Sequence, residues 1–149
     1  MMPTSSNGGF SATGAESSPR VLVIDNEPLV RWSLTTGLRL AGFDAASAAD
    51  AAEARALARL GSPPGVVLLD ARLWDTDPPA LLHEIRSMSP QCRFLILAVA
   101  GQDVSLASWD AVAVIRKPFD LPDVVRRVRA ALTCGPREGQ VALLEGGAA

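Results

Sequence analysis

Three residues of this 149-residue chain stand where chemistry is readily done. Asp25 closes the apolar run 21–24 (VLVI), Asp70 closes a second run, 66–69 (VVLL), and Lys117 follows a third, 112–116. Asn26 and Glu27 lie directly beside Asp25. Carboxylates from separate runs, with one lysine opposite, suit a hard cation and a phosphoryl group. Mg²⁺ takes oxygen ligands in near-octahedral array, usually one or two carboxylates and several waters. A lysine ammonium is a compact charge for a phosphoryl or carboxylate oxygen. An aspartate can itself be the nucleophile and become an aspartyl phosphate. Acids also end strands as plain turn residues. That bland reading serves any one position, but not all of them on consecutive units.

Lys117 is the one lysine among 14 basic residues. A genome rich in arginine codons accounts for the scarcity, but not for where the remaining lysine stands. With 16 acidic residues the formal net charge is -2. Such near-balance argues against a nucleic-acid binder working by bulk positive charge, though not against a local basic patch. Cys92 and Cys134 have no second pair and no CxxC spacing, so neither a disulfide framework nor a zinc site can be built on them. The longest apolar run, 94–100, is far short of the roughly 20 residues a membrane helix needs. The N-terminus lacks the basic start and apolar stretch of a secretory signal, so a soluble cytoplasmic protein is expected.

These residues are positioned by alternating strands and helices. Residues 1–19 and 135–149 are rich in small and polar residues and are expected to be flexible tails. Between them, 20–134 forms one neutral domain. The β-branched run 21–24 suits a strand buried on both faces. A helical pattern follows from Pro28, with Val30, Leu34, Leu38 and Ala41 on one face and Arg31, Thr35 and Arg39 off it. Pro28 suits the first helical turn and Gly42 the stop. A weak strand is expected over 43–47 and an Ala- and Arg-rich helix over 51–60. Strand 66–69 precedes a helix through Leu81, Leu82, Ile85 and Met88. Strand 94–99 precedes an ambiguous stretch, 102–109, read as a reduced helix. Strand 112–116 precedes a helix with Leu121, Val124, Val125, Val128 and Leu132 on one face and Asp120 as N-cap. Five strand–helix units imply an α/β fold with a parallel sheet covered on both sides. Ligands then sit at the C-terminal strand ends, where strand order reverses.

The segments RVLVIDNEPLVR, VVLLDARL and RKPF, in this order and spacing, resemble the receiver domain of bacterial two-component response regulators. The resemblance spans about 20–134. It implies a doubly wound, flavodoxin-like five-stranded parallel sheet in order 2-1-3-4-5. It also implies phosphoryl transfer from a sensor histidine kinase or phosphotransfer protein to Asp70, with Mg²⁺ required. Carried over by position, Lys117 contacts the phosphoryl group. Asp25, Asn26, Asp70 and the Arg72 backbone carbonyl form the metal site. Pro118 follows a peptide bond that is commonly cis in the family.

Four departures stand beside this match. The second acid after the first strand, usually the direct metal ligand, is Asn26. One charge pair at ~4 Å and an effective dielectric of ~20 is on the order of 4 kcal/mol gross, much of it cancelled by desolvation, so weakened Mg²⁺ binding is expected. The switch Ser or Thr at the end of the fourth strand is Ala98, which has no hydroxyl. The switch aromatic of the fifth strand is Val114. Trp74 replaces a proline after Asp70, and the stretch between Ala98 and Lys117 is about three residues short, which trims the fourth helix.

Trp32 lies beside the apolar face of the first helix and is expected to be partly buried. Trp74 and Trp109 fit partner contact and core capping equally. His83, the one histidine, reads as a surface residue, and Arg126, Arg127 and Arg129 as a solvated helix face. Three functions are weighed. The first is a receiver accepting a phosphoryl group at Asp70 and acting through protein–protein contacts on a downstream target. The second is a pseudo-receiver that keeps the fold without control by phosphorylation. The third is a phosphohydrolase in which Asp25 attacks and Glu27 is the acid–base, but no cap domain or second acidic metal cluster is visible for it. With 15 residues after 134, direct DNA contact is not expected. Neither is a membrane partner, and weak self-association is left open.

Overall fold

The computed structural model describes residues 19–61, 63–73 and 77–133. Five strands and five helices alternate: β1 (Arg20–Ile24), α1 (Pro28–Leu40), β2 (Asp44–Ala48), α2 (Ala51–Ala58), β3 (Val66–Asp70), α3 (Pro78–Met88), β4 (Arg93–Val99), α4 (Leu106–Trp109), β5 (Ala113–Lys117) and α5 (Leu121–Leu132). The strands pair in parallel in the order β2-β1-β3-β4-β5.

Successive strand side chains point to opposite faces. Val21, Val23, Val66, Leu68, Leu95 and Leu97 therefore pack on one side, against Leu34 and Leu38 of α1 and Val124 and Val128 of α5. Leu22, Ile24, Val67, Leu69, Phe94 and Ile96 pack on the other, against Ala54 of α2 and Leu81 and Ile85 of α3. Both faces are dry, which is why these strands read as continuous apolar runs. The weak strand of the sequence reading is the edge strand β2. Its small residues (DAASA) carry little strand propensity, and backbone pairing with β1 sets it.

Several expectations are corrected. Asp70 and Lys117 are the last residues of β3 and β5, not the first of the following loops, because their backbones stay in register with Leu97 and Val99. Thr35 is buried rather than off the apolar face of α1; its hydroxyl donates to the carbonyls of Arg31 (2.8 Å) and Trp32 (3.2 Å), which removes the cost of burying it. Trp32 is 64% exposed, because the buried stripe of α1 runs through Leu34, Thr35 and Leu38 and leaves residue 32 outside it. Asp120 occupies the N-cap position of α5 but makes no side-chain cap bond. The helix after β2 ends at Ala58, two residues earlier than read.

Other expectations match. His83 is exposed and α4 is a single turn of four residues; of the two readings left open for Trp109, the structure shows it packed on the core. Arg86 braces this shortened corner: it lies 4.3 Å over the Phe94 ring, donates to the Cys92 carbonyl and pairs with Asp110 at 3.0 Å. Trp74, Cys134 and both tails lie outside the described residues.

Gly42 follows the C-cap of α1 with φ +100°, and a Cβ there would meet nothing within 4 Å. Only the backbone conformation opposes a side chain. Gly42→Ala should thus cost about 1–2 kcal/mol in urea unfolding, with m unchanged; an unaltered midpoint would show that α1 can stop without this turn.

Candidate functional site

Strand order reverses between β1 and β3, so their C-terminal ends open side by side at the switch point. Asp25 follows β1 and is fully buried; Asp70 ends β3 and is 1% exposed. Each carboxylate folds back on its own loop. Asp25 Oδ1 accepts the Glu27 backbone N–H at 2.9 Å, and Asp70 Oδ1 accepts that of Arg72 at 3.0 Å. The Arg31 guanidinium donates to the Asp25 carbonyl at 2.8 Å and steadies the first of these turns.

Lys117 reaches the two acids from β5, across the ends of β4 and β3. Its Nζ donates to Asp25 Oδ2 at 2.9 Å and to Glu27 Oε1 at 3.0 Å. Asp70 Oδ2 lies 3.7 Å away and, although buried, has no hydrogen-bond partner. On the rim, Arg72 Nη2 stands 3.9 Å from Glu27 Oε1, and Asn26, Glu27, Pro28 and Arg72 line an open depression. The Lys117–Pro118 peptide is cis.

Burial raises the Asp25 pKa above the usual carboxylate value. The hydrogen bonds from Lys117 and the Glu27 amide offset part of that rise, while the charge of Asp70 adds to it. Burial works against the Lys117 ammonium too. Its hydrogen bonds to Asp25 and Glu27, and the charges of Asp25 and Asp70, outweigh this and hold its pKa above the ordinary lysine value. Lys117 is thus a fixed cation at neutral pH.

Sequence spacing brought Asp25, Asp70 and Lys117 together but missed the third carboxylate on the lysine. Glu27 and Lys117 are 90 residues apart, and no local pattern relates them. Ala98 is fully buried in β4, and Val114 packs on the core face that carries α2 and α3. The loop after Ala98 is pinned instead by other residues. Gln102 Oε1 accepts the Val99 N–H at 3.2 Å, and Arg116 donates to the carbonyls of Val99 (3.1 Å) and Gln102 (2.7 Å).

Among the described residues, no group of three or more His, Cys, Asp or Glu side chains is arranged to hold a metal by itself. A Mg²⁺ site needs less than that. Two carboxylates, an amide oxygen and a backbone carbonyl, completed by water, form an all-oxygen donor set of the kind the ion takes. Asp70 Oδ2 is a buried acceptor with no hydrogen bond and only a 3.7 Å ion pair to Lys117, so it has room for a further positive partner.

Residues 21–129 match the response regulator receiver domain family. The chain belongs to that family. It is a receiver domain of the two-component type. The transcriptional regulatory protein PrrA of Mycobacterium tuberculosis is 37% identical over 118 residues, covering 77% of this chain and 50% of that protein. The probable transcriptional regulatory protein TcrX of the same organism is 37% identical over 117 residues, covering 75% and 49%. The chain thus spans about half the length of these curated relatives. The crystal structure of the receiver domain of NtrX from Brucella abortus aligns with a TM-score of 0.70 at 27% identity, covering 77% of this chain and 99% of that one. No helix of the described residues is long and apolar enough to cross a membrane.

Asp25 and Asp70 repel each other, and one ammonium serves both. Replacing Asp70 with asparagine removes the repulsion and the charged oxygen that lacks a hydrogen bond. Asp70→Asn should raise stability by about 1 kcal/mol, or roughly 3–4 °C in Tm for a domain of this size. A fall in Tm would show that Asp70 is a net stabilising partner of Lys117.

Proposed function

We propose that this receiver domain accepts a phosphoryl group on Asp70. The carrying observation is the buried Asp70 Oδ2, which has no hydrogen bond, with the Lys117 ammonium 3.7 Å away. Every other carboxylate oxygen turned toward the lysine is already hydrogen-bonded. The donor is the phosphohistidine of a sensor kinase or phosphotransfer protein: its P–N bond breaks as a P–O bond to Asp70 forms, and the histidine nitrogen regains its proton. Lys117 holds a phosphoryl oxygen. Asp25, Asn26, Asp70 and the Arg72 carbonyl are the residues that would hold Mg²⁺, which when bound neutralises charge on the phosphoryl oxygens. Residues 20–134 are the receiver unit, 1–19 and 135–149 its tails, and the cytoplasm its place of action.

Asp25 does not suit the phosphohydrolase reading. It is fully buried, with both oxygens engaged by Lys117 and the Glu27 amide, so it is no free nucleophile. The output passes through protein–protein contact, since the domain's neutral charge gives no basic field for DNA. The pinned loop after Ala98 favours a second reading of that output. Arg116 and Gln102 hold the segment that would have to move, so the fold can present its target surface without phosphorylation.

Incubation with Mg²⁺ and acetyl phosphate, read by intact mass, tests the acceptor. A single phosphoryl adduct is expected on the wild type and none on Asp70→Asn. No adduct under conditions that modify an ordinary receiver would replace this reading with the pseudo-receiver.

Asn26 removes one negative charge from the Mg²⁺ donors. Asn26→Asp should tighten Mg²⁺ binding by about tenfold in calorimetry, the gross attraction being cut heavily by solvation. Equal affinity would mean that residue 26 does not touch the ion.

A further inference from the structure

We propose that Glu27 is a positioning residue that withholds Lys117 from Asp70 until a phosphoryl group claims it. The inference rests on Asp70 being the acceptor, and three observations carry it. First, Glu27 occupies the N-cap position of α1, yet its side chain makes no cap hydrogen bond. It turns to Lys117 instead, with Oε1 3.0 Å from Nζ. Second, the ammonium is committed to Asp25 and Glu27, at 2.9 and 3.0 Å, and stands 3.7 Å from Asp70 Oδ2, outside hydrogen-bond reach. The resting lysine is therefore parked on the β1 side of the site, and the acceptor oxygen keeps only a long ion pair with it and no hydrogen bond. Third, Glu27 has another cation beside it: Arg72 Nη2 is 3.9 Å from the same Oε1. When the lysine departs, Glu27 keeps a partner.

These contacts define a handover. In the resting site Lys117 bridges Asp25 and Glu27. A phosphoryl group on Asp70 adds negative charge where the carboxylate oxygen had no hydrogen bond. Lys117 then exchanges Glu27 for a phosphoryl oxygen, keeps Asp25, and leaves Glu27 to Arg72. Glu27 is 48% exposed, whereas Lys117 is 10% exposed and Asp25 not at all. The most solvated of the lysine's contacts is thus the one given up, because its carboxylate is the most readily rehydrated. Glu27 competes with the phosphoryl group, so it sets how readily the modified state forms.

Beryllofluoride, a phosphoryl analogue, tests this on the full chain at saturating Mg²⁺, with binding followed by ¹⁹F NMR. Glu27→Gln keeps the shape of the side chain and removes its charge. It should bind the analogue about fivefold more tightly than wild type, the scale set by a half-exposed ion pair. A residue that merely supported the fold would weaken binding when replaced, so equal or weaker affinity overturns the proposal. In metal-free buffer without analogue, urea unfolding of Glu27→Gln, Lys117→Gln and the double variant reads the resting contact alone. Non-additive midpoint shifts are expected, and additive ones overturn the proposal as well. If wild type and Asp70→Asn both fail to bind the analogue, the acceptor reading falls and takes this one with it. That result is distinct from one in which wild type binds and Glu27→Gln gains nothing.

Discussion

Two carboxylates side by side in a dry site repel each other, and a cation among them relieves that repulsion. The ends of β1 and β3 bring Asp25 and Asp70 together where water barely reaches, and Lys117 is the ammonium that makes this tenable. Much of the architecture serves that balance. The reversal of strand order between β1 and β3 opens the site, and the β4–β5 pairing carries Lys117 to the same end of the sheet. The two apolar layers keep the surroundings dry enough for one charge to matter.

The same balance explains the division between chemistry and signalling. The groups that would accept and hold a phosphoryl lie at strand ends whose backbones are locked in the sheet, and they are present. The positions that would turn modification into movement are filled by Ala98 and Val114, which do no more than pack. Arg116 and Gln102 staple the loop between them, and α4 beyond it is one turn long. Lys117 and its partners lie on the β1 side of the site, away from the stapled β4–α4 side.

Much of the fold was legible because burial writes itself into residue order. The runs at 21–24, 66–69 and 94–99 are apolar at every position, since both faces of a central parallel strand are covered. Pro28 and Gly42 mark the ends of α1 through backbone geometry alone, one by its fixed φ and the other by its positive φ. Weak signals came where side chains do not decide. The edge strand β2 is held by pairing, and the buried Thr35 is satisfied by bonds to its own helix, so neither shows in a hydrophobic pattern.

The sequence by itself determined the order of strands and helices, the closing of two buried apolar runs by Asp25 and Asp70, and the solitary lysine at the end of the last such run. Those are local facts, set by residue type and short spacing. Tertiary structure alone decided how the charges share one another: that Lys117 hydrogen-bonds Asp25 and Glu27 but stands off from Asp70 Oδ2, and that Arg72 faces Glu27. The reason is distance along the chain. Electrostatic partners 90 residues apart are chosen by where strand ends meet and which oxygens are already spoken for, and no periodicity records that.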